Sequence, residues 1–139
     1  MKLEFAISNI HVDGVRHPEA DIEILLGYVC DFMVRVDGKE VFSEVEFPLL
    51  EFASEVATWL ASGRQGDFNY ESMDSVVKGL VYFRTDGADG WEVGSALSPG
   101  CDATAVADGE VEQRLRDFVE TVRLIFDSIG LDVSRFLET

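Results

Sequence analysis

At 139 residues the chain has the length of one ordinary domain, and a 47% hydrophobic share with 11% aromatic residues can supply a full core. Disorder requires low hydrophobicity together with high charge, and only the second condition holds, so a folded single domain over residues 1–139 is expected. The formal net charge is −16, from 27 acids against 11 bases. A field of that sign repels nucleic acid and anionic membrane surfaces and steers basic partners inward.

The acidity is not a tail. Residues 1–70 carry 13 acids against 5 bases and residues 71–139 carry 14 against 6, so each half holds −8. The first residues, MKLEFAISNIHVDG, have one lysine, an acid at Glu4 and no long apolar centre, which is not the pattern of a signal peptide. No apolar run approaches the ~18 residues that span a bilayer. Cys30 and Cys101 are too few for a disulfide framework and are expected as reduced thiols of a soluble cytoplasmic protein.

Residues 2–12 alternate, with Leu3, Phe5 and Ile7 on one face, and then slip at Asn9, which predicts a strand with a bulge. Residues 13–21, DGVRHPEAD, are turn chemistry. Ile22 to Val36, IEILLGYVCDFMVRV, predicts one long strand with Gly27 as a bend. Asp37-Gly38 then predicts a hairpin, with Glu40 to Phe47 returning. In that return strand Val41, Ser43, Val45 and Phe47 share the expected buried face, and Glu40, Phe42, Glu44 and Glu46 the other.

The stretch Phe47 to Ser62 cannot be a strand. Pro48 suits a first helical turn, and Leu49, Phe52, Ala53, Val56, Trp59 and Leu60 form one apolar stripe, with Glu51, Ser54, Glu55 and Thr58 opposite. Gly63 takes the position that closes a helix. Strands follow at Asp67 to Met73, at Val76 to Arg84 and at Trp91 to Leu97, with the Gly-rich loop TDGADG before the last. Residues 98–109 read as a loop ending in an Asp108 N-cap. Glu110 to Ile129 is a helix with Val111, Leu115, Phe118, Val122, Ile125 and Ile129 as its stripe, broadened by Val119 and Phe126. Gly130 and Leu131 close it, and a short turn is docked by Phe136 and Leu137. The order βββ-α-βββ-α predicts an α+β domain: an antiparallel sheet of about six strands with two main helices packed on one face.

No constellation of catalytic type occurs. His11 and His17, with Asp13, Glu19 and Asp21, match no metal-ligand spacing, so no metal is expected. Asp86 and Asp89 resemble a calcium loop only in part, because position 97 is Leu97 where the bidentate glutamate would stand. Neither cysteine lies in an electropositive context that would activate a thiol. There is no nucleophile elbow, P-loop or dinucleotide fingerprint, so neither an enzyme nor a cofactor is expected. Two acidic groups remain. One is Glu40, Glu44 and Glu46 with Glu51 and Glu55. The other is Glu71, Asp74, Asp86, Asp89 and Glu92, with Tyr70 and Trp91 among them. Aromatics among charges are the composition of interface anchors, so these last seven residues are the predicted partner-binding set.

The segment FPLLEFASEVATWLASGRQGDFNYESMDS, followed by LVYFRTDGADGWEVGSA, resembles a bacterial family of short acidic proteins of unknown function, over residues 47–96. A Phe-Pro helix start, a Trp-Leu helix end, an Asp-Phe-x-Tyr-Glu-Ser strand and a Gly-Trp pair carry the resemblance. These motifs are structural and transfer no catalytic residue. In class such proteins are similar to the immunity proteins of bacterial toxin systems, which block a cognate toxin through acidic surfaces. The resulting expectation is an acidic protein-binding module, most concretely an immunity protein that occludes a basic toxin domain one to one. A small-molecule-binding domain, a carboxylate-using enzyme and a subunit of a larger assembly are the alternatives.

Overall fold

A computed structural model describes residues 3–12, 20–72, 78–85, 90–96 and 104–138. The described elements are strand β1 (Leu3–Val12), helix α1 (Asp21–Gly27), strands β2 (Tyr28–Val36) and β3 (Lys39–Pro48), helix α2 (Leu49–Ala61), strands β4 (Phe68–Glu71), β5 (Lys78–Thr85), β6 (Gly90–Gly94) and β7 (Thr104–Ala107), and helix α3 (Asp108–Ser128). A 3-10 turn, Ser134–Phe136, ends the chain and docks it with Leu137 buried. The α+β class and the antiparallel pairing are as predicted. The strands form two sheets rather than one, β1-β2-β3 and β4-β5-β6-β7, each a meander in chain order. The helix α2 falls between the two meanders, so hairpin pairing completes one ladder before the second begins.

The first sheet follows its local chemistry closely. Asn9 has a positive φ of 55° and the β1–β2 register shifts between Ser8 and His11, which is the slip seen in the alternation. Asp37 and Gly38 both have positive φ, at 52° and 80°, and join the pair Val36–Lys39 as a two-residue turn of type I′. In β3 the expected faces fail. Two register shifts, near Val41 and near Glu46 (φ 52°), place Val41 and Phe42 both inside and leave Val45 69% exposed. Each bulge adds one residue and so swaps the faces beyond it.

Residues 21–27 are helical, where the sequence predicted the start of a strand. The apolar run Ile22–Leu26 fits either period, and the cap decides. The Ala20 N–H donates to Glu23 Oε1 at 3.1 Å and the Ile24 N–H to the Ala20 carbonyl at 2.9 Å, while Asp21 and Glu23 sit in the first turn where the dipole favours them. Gly27 ends this helix directly before β2. The predicted loop 98–109 likewise contains β7, a short strand whose small residues gave little signal, and the N-cap of α3 is Ala107 rather than Asp108.

The predicted stripe of α2 is buried throughout, but so are Leu50, Glu51 and Ala57, so this helix is enclosed on nearly every side. Gly63 and Gly130 both close their helices with positive φ. The Arg64 N–H reaches the Trp59 carbonyl at 3.0 Å and the Leu131 N–H reaches that of Phe126 at 3.0 Å, the Schellman pattern. The stripe of α3, with Val119 and Phe126 in it as expected, is buried from Val111 to Phe126 apart from the half-buried Ile125, and Ile129 is exposed.

One continuous buried cluster takes side chains from every described strand and from all three described α-helices. Its hub is Phe52 of α2. The ring lies 5.4 Å from Phe32 and 5.5 Å from Phe47 of the first sheet, 6.0 Å from Phe68 and 5.1 Å from Tyr70 of the second, and 5.4 Å from Phe118 of α3. Two turns further on, Trp59 stacks on Phe83 at 6.1 Å and meets Trp91 edge-on at 5.1 Å. The edge-to-face pairs add about 0.5–1.5 kcal/mol each beyond their burial. Replacing Trp59 by alanine should therefore cost about 3–5 kcal/mol in equilibrium urea unfolding. A variant of wild-type stability would show that this ring is not a core anchor.

Candidate protein interface

The structure divides the four described residues of the predicted partner-binding set between core and surface. Tyr70 and Trp91 are not surface anchors: both are buried, Tyr70 completely. Their strands alternate, and the inward phase of β4 and β6 carries these large rings to the core. Glu71 and Glu92 are exposed. Asp74, Asp86 and Asp89 lie outside the described residues, as do His17, Asp13, Glu19 and Cys101. His11 is exposed, with Nδ1 2.8 Å from the Asn9 carbonyl at the bulge, and Asp21 pairs with Arg135 at 3.1 Å.

Each buried aromatic brings a carboxylate with it. The Tyr70 hydroxyl donates to Glu51 Oε1 at 2.6 Å, and Glu51 is itself only 3% exposed. The helical stripe had placed Glu51 on the wet side of α2, but β4 covers that side. Burial first, then the bond to Glu51, pushes the phenol well above its ordinary range, so it remains a donor. One turn along α2, Glu55 Oε1 accepts from the Glu71 N–H at 3.2 Å. Burial raises Glu55 to about 7, opposed by that N–H and helped by the charges of Glu51 and Glu71. Glu55 is thereby placed to hold or release its proton near neutrality.

The second pair works as a clamp. Trp91 Nε1 donates to Asp108 Oδ1 at 2.7 Å, and the Arg64 guanidinium binds both oxygens of the same carboxylate and reaches Glu112 at 3.4 Å. The bond from Arg64, then that from Trp91, holds Asp108 below the usual carboxylate range. The clamp joins the end of α2, the start of α3 and β6. Cys30 faces the core, and burial with the nearby Asp31 pushes its thiol up to about 12, which leaves it protonated and inert.

Among the described residues, the outer faces of the two sheets differ. On the second sheet Tyr82 lies across Gly94, where an added Cβ would stand 2.5 Å from its hydroxyl oxygen. Arg84 covers the ring at 3.8 Å and donates to Asn69 at 3.1 Å. That face is closed by its own side chains. On the first sheet the small residues Ala6, Ser8 and Ser43 leave a groove of about 510 Å³. Met33 and the exposed Val45 supply its apolar surface, with Asp31, Glu44 and Arg35 around them. Partial burial raises Glu44 above the ordinary carboxylate range. Sequence reasoning missed this face because the two bulges of β3 invert its alternation, and the one available sign was the pair of small residues Ala6 and Ser8 on β1.

Residues 11–124 match a family model described as Domain of unknown function (DUF7878). No curated protein and no solved structure gave a match. Among the described residues no helix is long and apolar enough to cross a membrane, and no group of three or more metal-ligating side chains comes together.

The carboxylate cluster gives two testable outcomes. The folded value of Glu55 lies above the ordinary 4.5, so the folded state binds its proton more tightly than the unfolded chain. Its contribution to stability is then full below about pH 4.5 and is lost as pH rises toward about 7. Glu55→Gln should flatten that slope in urea midpoints measured from pH 5 to pH 8. An unchanged slope would contradict the assignment. Tyr70→Phe removes the donor to a buried carboxylate and should cost about 1–3 kcal/mol in the same assay, and a neutral substitution would mean that Glu51 has no need of it.

Proposed function

The chain belongs to the DUF7878 family, whose match takes in α1 through most of α3, and we propose that it is an acidic protein-binding module that covers a basic surface of its partner one to one. In its most concrete form the partner is a toxin domain and the chain is its immunity protein. The observation that carries this reading is the outer face of the first sheet. It presents exposed Val45 with Met33 over a floor of small residues, beside Asp31 and Glu44, in a chain of net charge −16. Apolar contact at the centre supplies adhesion, and the surrounding field supplies fast encounter and selection for basic partners.

Occlusion needs no chemistry from the binder. A rigid sheet face suffices, because little ordering entropy is lost when the partner docks. The buried carboxylates fit the same picture. They tie α2 and α3 to the sheets and keep the outer faces in fixed relation.

The test has two stages. The chain should suppress growth arrest when co-expressed with the product of the adjacent open reading frame, and the purified pair should bind one to one with affinity that weakens as salt rises. The double substitution Glu44→Lys with Val45→Lys should then weaken binding by at least roughly tenfold, equivalent to ~1.4 kcal/mol, with unchanged far-UV circular dichroism. Absence of rescue and of any basic partner, or binding indifferent to both salt and the double substitution, would overturn the proposal.

A further inference from the structure

Strand β1 is the edge of the first sheet: eight of its ten residues pair with β2, and no described strand lies on the other side. The backbone of that free side is oriented by one bond. The Leu3 N–H points away from β2 and donates to Glu110 Oε2 of α3 at 2.7 Å. In an antiparallel ladder the outward N–H and C=O groups recur every second residue, so Phe5 and Ile7 turn theirs the same way. At Leu3 the protein supplies its own acceptor. At Phe5 and Ile7 no described strand does so.

A groove of about 280 Å³ runs along this edge, between β1 and α3. Leu3, Phe5 and Ile7 line it from the strand at period two, and Asp117, Phe118 and Thr121 line it from the helix, one turn apart. The ring of Phe5 lies 4.8 Å from that of Phe118 and forms an apolar floor. Outward backbone groups beside an apolar slot under a helix are the elements with which a sheet edge accepts an added strand. The charge selects among strands: Glu4, Glu110 and Asp117 stand along the groove against Arg114, within a chain of −16.

The geometry points to β1 as a strand-addition site for an extended segment of a partner protein in which apolar and basic side chains alternate. This deepens the proposed function and rests on it, because the basic partner is the one that reading supplies. Ala6 and Ser8 of the same strand line the outer-face groove, so an added strand would continue the surface proposed above.

The probe is an N-acetylated, C-amidated heptapeptide alternating valine with lysine, titrated into the full-length chain and followed by amide shifts in two-dimensional NMR. Saturable shifts are expected at residues 3–8 and 114–121, and a peptide with two valines replaced by proline should give none. Ile7→Pro removes one outward donor and leaves the ladder to β2 intact, and should weaken binding by more than roughly tenfold. Thr121→Trp, which fills the groove from α3 and leaves the sequence of β1 unchanged, should do the same if Ile7→Pro fails to fold. Shifts confined to Asp31, Met33 and Val45 would overturn strand addition while leaving the outer-face reading standing. No saturable shift, or a chain that sediments as a dimer joined through β1, would also overturn it, and the salt-dependent titration of the partner would still judge the proposed function separately.

Discussion

Everything in this fold depends on one ring having neighbours on three sides. Phe52 touches the first sheet through Phe32 and Phe47, the second through Phe68 and Tyr70, and α3 through Phe118. Neither meander is long enough to bury a core alone, and a three-stranded sheet needs a hydrophobic partner for independent stability. The helix α2 is that partner for both. Its enclosure explains why it carries apolar side chains nearly all round, and why the one acid on its covered side, Glu51, has to be met by a buried hydroxyl.

The charge is arranged around this constraint. Among the described residues, three carboxylates that stand at or beside the core are paired. Glu51 has Tyr70, Glu55 has the backbone of Glu71, and Asp108 has Arg64 and Trp91. The aromatic side chains that resembled contact anchors are in fact donors: Tyr70 makes the burial of Glu51 tolerable, and Trp91 binds the half-exposed Asp108. Among the described residues Glu40, Glu46, Glu71 and Glu92 are exposed and contribute to the field that a partner would meet.

Much of the fold was legible because short-range chemistry decides it. Asp37-Gly38 demands its turn, Asn9 marks its bulge, Gly63 and Gly130 close their helices, and the stripe of α3 declares its period. What failed was non-local or degenerate. Ile22–Leu26 suits a helix or a strand equally, and only the Glu23 cap separates them. The β3 bulges are invisible until β2 fixes the register, and they move Val45 from the inferred core to the surface. The candidate site suffered most for that reason. Tyr70 and Trp91 were singled out for being aromatic among acids, a composition that an interface anchor and a hydrogen-bonded core ring share. Only the phase of their strands tells the two apart. The division into two sheets also depended on tertiary packing, since nothing local distinguishes β3 followed by β4 from two neighbours in one sheet.

The central claim is that the two sheets are held as one unit by the ring at position 52, and native-state hydrogen exchange tests it most directly. In Phe52→Leu the backbone amides of β2 and of β5 should lose protection together and by a similar factor, because both ladders rest on the same side chain. Loss confined to one sheet, with the other at wild-type protection, would show that the sheets are stabilised separately and would contradict the account.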